Sequence, residues 1–340
     1  MNDVKNALIG LELISTKAGE RADYTQGGGG NTSVKLDDSR MAVKASGFQL
    51  KQINPQTGFV VVDYKRIKDF FMSVDLSDGT DYEKKCSALL QEVVMDFEGL
   101  PRLRPSVEAG FHSFLKKYVI HVHSVYANIL CCATEGKDII EKILSKTYYK
   151  YIIVPYVDPG FTLTCEIFDR SKKLGTTPDI IFMENHGLIV NADSAEDCVK
   201  LNDDINSLIS DYLKLPEKFP EISITKVSEE EYKSNTDYIK KYIKTNKVTP
   251  QMFTDIILYP DQLVYLNGGA DKMSICTESG NITYKTTEKE AMTIEETLCA
   301  YLYVIDMIEK SGLNVQSMGQ KGIDFINNWE SEKYRKSMAK

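Results

Sequence analysis

Residues 118–123 read Tyr-Val-Ile-His-Val-His, an apolar run that carries two of the four histidines of the chain. Its β-branched and aromatic residues predict a buried strand over residues 118–125. Side chains at positions i and i+2 of a strand leave the same face about 7 Å apart at the backbone, so His121 and His123 can converge on one ion. The alternative is a chance pair of histidines, each with its own hydrogen-bond partners on the surface or in the core. The rest of the sequence decides between these two interpretations.

A third histidine occupies a position that suits a metal site. His186 lies in the turn Glu184-Asn185-His186-Gly187, between two apolar runs that predict strands at 180–183 and 188–190. A histidine at the rim of a neighbouring strand would complete a three-histidine site with open positions for substrate. The pattern therefore favours a divalent metal held by His121, His123 and His186.

A carboxylate precedes the histidine strand. Glu108 is predicted to lie in the first turn of a helix that begins at Ser106 and leads into this strand. Such a carboxylate can bind the metal at rest and act as a base when substrate displaces it. The alternative is an acidic residue that the helix dipole favours. The fourth histidine, His112, is predicted to form structural hydrogen bonds.

A glycine run, 27–30, precedes a predicted strand and not a helix, so it fits neither the dinucleotide fingerprint nor the P-loop. Glycines allow backbone N–H groups to approach an anion closely. The alternatives are a flexible turn for the glycines and solvated strand positions for the lysines. The predicted phosphate-binding residues are Asn31, Ser46, Gly47 and Ser106, with Lys35 and Lys44 as possible counter-charges.

Composition limits the partners. The chain has 340 residues, 42% of them hydrophobic, and a formal net charge of −8 without a basic cluster, which predicts a globular protein that does not bind nucleic acid. No apolar run reaches the length of a membrane span and no leader pattern is present, so the expectation is a cytoplasmic protein without a membrane partner. Seven cysteines without a CxxC pair are assigned no chemistry.

The chain is predicted to form two parts. Residues 1–215 are expected to form the catalytic domain, which ends with a helix capped by Ser194. Residues 216–340 are expected to form a C-terminal α+β extension, which begins with a charged, solvated linker that contains helical pieces over 217–247. The extension is predicted to contain a helix capped by Thr249, a strand at 263–266, a hairpin at 273–285 and a helix that starts with a Thr293/Glu296 capping box.

Taken together, these residues resemble the class II aldolase/adducin family. The resemblance covers roughly residues 1–215, and six short blocks appear in the family's order. They are Gly30-Asn31-Thr32-Ser33, Ala45-Ser46-Gly47, Pro105-Ser106-Val107-Glu108, His121-Val122-His123, Pro155-Tyr156 with Pro159-Gly160, and Asn185-His186-Gly187.

The resemblance implies an α/β protein with a three-layer α/β/α fold around a mostly antiparallel sheet. It also implies a zinc-type ion on His121, His123 and His186, with Mn²⁺ or Co²⁺ as alternatives, and Glu108 as catalytic acid/base. The implied substrate is a small phosphorylated sugar, and the implied assembly is a homotetramer with active sites near subunit interfaces. The C-terminal extension is similar to that of longer rhamnulose-phosphate aldolase-related members, including the ending Ser331-Glu332-Lys333-Tyr334-Arg335.

Two features depart from the family pattern. Val107 stands where phosphate-binding aldolases often have a second serine. Family aldolases also use a tyrosine, often from the neighbouring subunit, as proton donor. The candidates here are Tyr126, Tyr148, Tyr149 and Tyr156, and the alternative for each is packing in the core or on the surface.

The predicted reaction is aldol cleavage or formation of a C–C bond in a small sugar phosphate or related ketose, through a metal-stabilised enediolate. The same site chemistry also serves an epimerase, a dehydratase or a decarboxylase on related sugar acids or sugar phosphates. A non-catalytic, adducin-like scaffold is the alternative from another class. A nucleotide-binding module built on the glycine run is disfavoured because no helix follows it.

Overall fold

The computed structural model describes residues 2–97 and 99–329, and its main feature is an eight-stranded sheet. The strands lie in the order β4-β3-β2-β1-β5-β8-β7-β6, and within the described residues all neighbours are antiparallel except the parallel pair β6 and β7. The strands are β1 (Asn31–Lys35), β2 (Arg40–Lys44), β3 (Phe59–Asp63), β4 (Val94–Met95), β5 (Tyr118–Val122), β6 (Tyr151–Val154), β7 (Ile180–Met183) and β8 (Gly187–Ala192).

Helices cover both faces of this sheet because its strands bury apolar side chains alternately on either side. The helices are α1 (Asn2–Gly19), α2 (Tyr64–Met72), α3 (Tyr82–Glu92), α4 (Ala109–His112), α5 (Val125–Cys131), α6 (Gly136–Leu144), α7 (Phe161–Leu174) and α8 (Ala195–Leu213). Helices α1, α5, α6 and α8 pack on one face, and α2, α3 and α7 pack on the other. The three-layer α/β/α fold implied by the resemblance is confirmed.

The C-terminal part contains a second, four-stranded sheet in the order β11-β12-β10-β9. Its elements are β9 (Ile224–Ser228), β10 (Glu231–Ser234), α9 (Asp237–Asn246), α10 (Met252–Asp255), β11 (Met273–Cys276), β12 (Asn281–Lys285), α11 (Glu288–Lys310) and α12 (Gln320–Asn328). The predicted hairpin is present as β11 and β12, and its turn contains Gly280 with φ of 72°.

Four predictions in this part need correction. The charged segment 217–247 contains a helical piece as predicted, α9, but it is not a solvated linker, because it also forms β9 and β10 and buries Tyr232 and Ile239 in the core. The helix that was predicted to be capped by Thr249 has Gln251 at its N-cap position and begins at Met252. Residues 263–266 belong to a π-helix, Gln262–Leu266, and not to a strand; the segment is buried on all sides, so its apolar run carries no period to separate strand from helix. Helix α11 begins earlier than predicted.

The start of α11 shows why the capping prediction failed. Two Thr-x-x-Glu pairs lie in succession, and the first of them caps the helix: the Thr287 hydroxyl accepts a hydrogen bond from the backbone N–H of Glu290 at 3.3 Å. The second pair, Thr293 and Glu296, lies inside the helix. Glu296 instead accepts a hydrogen bond from the Gly27 backbone N–H at 2.8 Å.

The two parts of the chain share a hydrophobic core. Val125 and Ile129 of α5 pack in one cluster with Leu298 and Leu302 of α11. The division at residue 215 stays a prediction, and Ser331–Arg335 lie outside the described residues. None of the helices within residues 2–97 and 99–329 is long and apolar enough to cross a membrane.

Candidate active site

Three histidines meet at the end of the central strands. His121 is on β5, His123 follows directly after β5, and His186 lies in the turn between β7 and β8. One nitrogen of each ring lies within 4.8 Å of the others, and all three side chains are buried. The predicted strand 118–125 is shorter than expected because β5 ends at Val122, yet the two rings still converge.

The hydrogen-bond partners of two rings fix where their protons lie. Nδ1 of His121 is 3.1 Å from the Leu188 carbonyl oxygen, and Nδ1 of His123 is 2.5 Å from a carboxylate oxygen of Asp261. Both partners are acceptors, so each Nδ1 carries the proton and donates it. The two Nε2 atoms are 3.1 Å apart, and in neutral rings both then present lone pairs to each other. A cation bound by both nitrogens removes this repulsion.

Glu108 completes the cluster from the opposite side. One carboxylate oxygen, Oε2, lies 3.5 Å from Nε2 of His121, and Oε1 lies 3.5 Å from Nε2 of His186. Oε1 is buried and accepts no hydrogen bond from a described residue. One predicted detail is wrong: Ser106 does not begin a helix, and Glu108 precedes the single-turn helix α4. The Ser106 hydroxyl instead accepts the backbone N–H of Glu108 at 3.3 Å.

A chain of hydrogen bonds orients Glu108. The Asn31 amide donates to Glu108 Oε2 at 2.7 Å, and the Asn31 carbonyl oxygen accepts from Nε2 of His112. Nδ1 of His112 is 2.7 Å from the Ser33 hydroxyl, which donates to it. The contacts of His112 agree with the structural role that the sequence favoured.

The charge state suits a divalent cation. Burial lowers the pKa of His121 to about 4 and that of His186 to about 3, so both rings are neutral at physiological pH. Burial raises the pKa of Glu108, but its three histidine neighbours and Asn31 more than offset this and lower the pKa to about 2. Neutral imidazoles with one carboxylate are a donor set that zinc and similar ions prefer. The residues present therefore fit a divalent metal.

The predicted phosphate-binding residues lie together beside this cluster. Asn31, Ser46, Gly47 and Ser106 line one cleft with Glu108, His123 and His186. The cleft forms because the loop at Pro105 pairs with the end of β2: the Ser46 N–H donates to the Arg104 carbonyl oxygen and the Ser106 N–H donates to that of Lys44. Lys44 also lines the cleft, and its amino group is 3.3 Å from the Gly28 carbonyl oxygen. Lys35 points elsewhere, toward the carbonyl oxygens of Leu115 and Lys116.

None of the four tyrosine candidates is among the described residues that line the cleft. Tyr148 is 83% exposed and its ring contacts that of Tyr149 at a tilted angle of 42°, and Tyr156 packs against Gly322 of α12.

Sequence reasoning missed the contribution of the C-terminal part. Pro260 and Trp329 line the cleft, and Asp261 contacts His123. The sequence carries no visible signal for these residues. Asp261 lies 138 positions from His123 in the chain, and no recognisable motif surrounds it.

The chain combines a three-layer α/β/α fold with a buried cluster of three histidines and one carboxylate. Residues 15–213 match the model of the Class II Aldolase and Adducin N-terminal domain. The chain belongs to this family.

Two curated relatives each match about half of the chain. The chain is 31% identical over 184 residues to YuxG of Bacillus subtilis (strain 168), described as an uncharacterized oxidoreductase, covering 50% of this chain and 24% of that protein. It is 28% identical over 182 residues to a 3-oxo-tetronate 4-phosphate decarboxylase of Haemophilus influenzae, covering 49% of this chain and 68% of that protein.

A solved structure supports the same fold. The N-terminal class II aldolase domain of a conserved protein from Thermoplasma acidophilum is 26% identical, with a TM-score of 0.51, over 61% of this chain and 93% of that chain.

Proposed function

We propose that this protein is a metal-dependent lyase of the class II aldolase type, acting on a small sugar phosphate or related ketose. The observation that carries the proposal is the convergence of His121, His123, His186 and Glu108 at the end of a cleft lined by hydrogen-bonding groups. Zinc is the favoured ion, with Mn²⁺ and Co²⁺ as alternatives. The assignment to the cytoplasm and to a homotetramer is part of the same proposal.

His121, His123 and His186 would hold the ion, with Glu108 within reach as a fourth ligand. When bound, a divalent ion supplies Lewis-acid stabilisation of the negative charge that develops on the substrate oxygens. The described lysines do not form a site that could stabilise the same negative charge. Lys44 lines the cleft, but the other lining residues include the carboxylate of Glu108 and no second lysine or arginine.

Glu108 is proposed to move the proton at the reacting carbon. Its Oε1 is the atom for this step because Oε2 is already held by the Asn31 amide. The chain Ser33–His112–Asn31 keeps the carboxylate in one orientation, which reduces the reorganisation that proton transfer requires.

Lys44 is proposed to bind the anionic end of the substrate together with Ser46, Gly47 and Ser106. Loss of a hydrogen bond to a charged group costs about 1.5–3 kcal/mol, which is roughly a tenfold to hundredfold change in affinity. The variant Lys44→Met should therefore raise KM for a phosphorylated substrate by that factor and change kcat little. Steady-state kinetics with phosphorylated and unphosphorylated substrates would test this.

The matched control is Lys35→Met, which removes a part-buried lysine from the neighbouring strand without touching the cleft. Its KM should stay near that of the unmodified protein. An equal rise in KM for unphosphorylated substrates in Lys44→Met would contradict the anion-binding role of Lys44.

Decarboxylation of a related sugar acid phosphate is the second candidate. The similarity to the Haemophilus influenzae decarboxylase favours it, since the match covers 49% of this chain and 68% of that protein. Decarboxylation leaves a carbanion next to a carbonyl group, so it requires the same charge stabilisation as aldol cleavage. Epimerisation and dehydration also remain compatible with the same groups.

The direct test is a screen of ketose phosphates and sugar acid phosphates with added Zn²⁺, Mn²⁺ or Co²⁺. Release of dihydroxyacetone phosphate would support aldol cleavage, and release of carbon dioxide would support decarboxylation. Metal analysis of the purified protein separates both from a non-catalytic scaffold. A protein that binds none of the three ions would overturn the proposal.

A further inference from the structure

The metal cluster has a carboxylate neighbour that comes from the C-terminal part of the chain. Asp261 is fully buried, and its Oδ2 lies 2.5 Å from Nδ1 of His123. Residue 261 is outside residues 15–213, the segment that matches the family model. Through this contact, one of the three histidines touches a part of the chain that lies outside the family match.

The loop that carries Asp261 is fixed in place from both sides. Within the loop, the Gln262 side chain accepts a hydrogen bond from the Leu258 N–H at 2.7 Å and donates to the Ile256 carbonyl oxygen at 2.8 Å. Across the domain, the Asn185 amide donates to the Leu258 carbonyl oxygen at 2.8 Å. Because Asn185 is the residue before His186, the same loop is tied to the turn that carries another histidine of the cluster.

The glycine run leaves room for this contact. A Cβ atom on Gly29 would lie 2.3 Å from Oδ2 of Asp261 and 2.9 Å from Nδ1 of His123. Both distances are far shorter than atoms tolerate, so a side chain at this position would displace the pair. The contact between Asp261 and His123 therefore requires that position 29 has no side chain.

We propose that Asp261 is a positioning residue of the metal centre, and that the C-terminal part of the chain is needed to complete this centre. Asp261 accepts the proton on Nδ1 of His123, which directs the lone pair of Nε2 toward His121 and His186. This inference rests on the metal binding in the proposed function.

Loss of the carboxylate should weaken metal binding without removing a ligand. In Asp261→Asn the side chain keeps its size, but the amide can rotate and donate to Nδ1, which places the ring proton on Nε2 and blocks its lone pair. Removal of outer-shell partners of metal-binding histidines typically costs about 10-fold to 100-fold in metal affinity. The same loss is expected here.

The experiment measures the Zn²⁺ and Co²⁺ affinity of the full-length chain by competition with a chelator. The matched control is Asp255→Asn, an exposed acid of the same C-terminal part that removes the same charge away from the cluster. Thermal unfolding of the metal-free proteins shows whether each variant is folded. A 10-fold to 100-fold loss in Asp261→Asn alone supports the inference, and equal affinity in the two variants overturns it. Failure of the unmodified chain to bind metal would instead contradict the proposed function.

A measurement on the unmodified, zinc-loaded protein covers the case in which Asp261→Asn does not fold. Long-range ¹⁵N–¹H correlation spectra report which ring nitrogen of each histidine carries a proton, and only four histidines contribute signals. We expect His123 to be protonated at Nδ1 and to bind zinc through Nε2. A His123 ring that is protonated at Nε2 would overturn the inference whatever the behaviour of the variant.

Discussion

Replacement of Glu108 with glutamine should lower kcat by about 10²-fold to 10⁴-fold, the range that a positioned general acid or base contributes. Glutamine has nearly the same shape and can still accept the hydrogen bond from Asn31, but its amide cannot take up a proton at neutral pH. Metal should stay bound because the three histidines are untouched. Steady-state kinetics together with metal analysis of the purified variant would measure both properties.

A carboxylate close to the cluster provides the control. Glu184 lies two residues before His186, yet its side chain does not line the cleft. We expect Glu184→Gln to retain turnover and metal near the values of the unmodified protein. If Glu108→Gln turned over substrate as fast as Glu184→Gln, Glu108 would have no part in proton transfer.

The histidine cluster was predictable because its pattern is local. His121 and His123 are separated by one residue on a predicted strand, and His186 sits in a tight turn between two apolar runs, so the spacing made a shared metal site one of two readings. The family resemblance then favoured this reading and implied a mostly antiparallel sheet. The structure adds the distances and the direction of the ring protons of His121 and His123, which depend on the carbonyl of Leu188 and the carboxylate of Asp261.

Contacts between distant segments were not predictable. Asp261 contacts His123 although 138 positions separate them in the chain. Glu296, inside helix α11, accepts a hydrogen bond from the Gly27 N–H. No periodicity or short motif encodes such contacts, because they depend on how distant segments of the chain pack together. The π-helix at 262–266 was missed for a related reason, because a segment buried on every side shows no polar face.

Replacement of His186 with alanine should reduce metal affinity by more than the roughly 10–100-fold that outer-shell partners contribute, since a direct ligand is lost. The backbone of the turn should persist, because Asn185 provides the positive φ of 50° and Gly187 leaves room for the Val122 carbonyl oxygen. The variant should fold, contain little zinc after dialysis, and lack turnover. Metal analysis and thermal unfolding would separate loss of the ion from loss of the fold.

His112 offers the comparison within the same chain. It is as buried as His121, but its nitrogens contact Asn31 and Ser33 and not the cluster. In His112→Ala, metal should remain bound while kcat falls, because Asn31 loses the partner that orients it toward Glu108. Equal loss of metal from His186→Ala and His112→Ala would show that metal binding depends on the packing of the site in general. It would remove the distinction between a ligand and a supporting residue, and the proposed mechanism depends on that distinction.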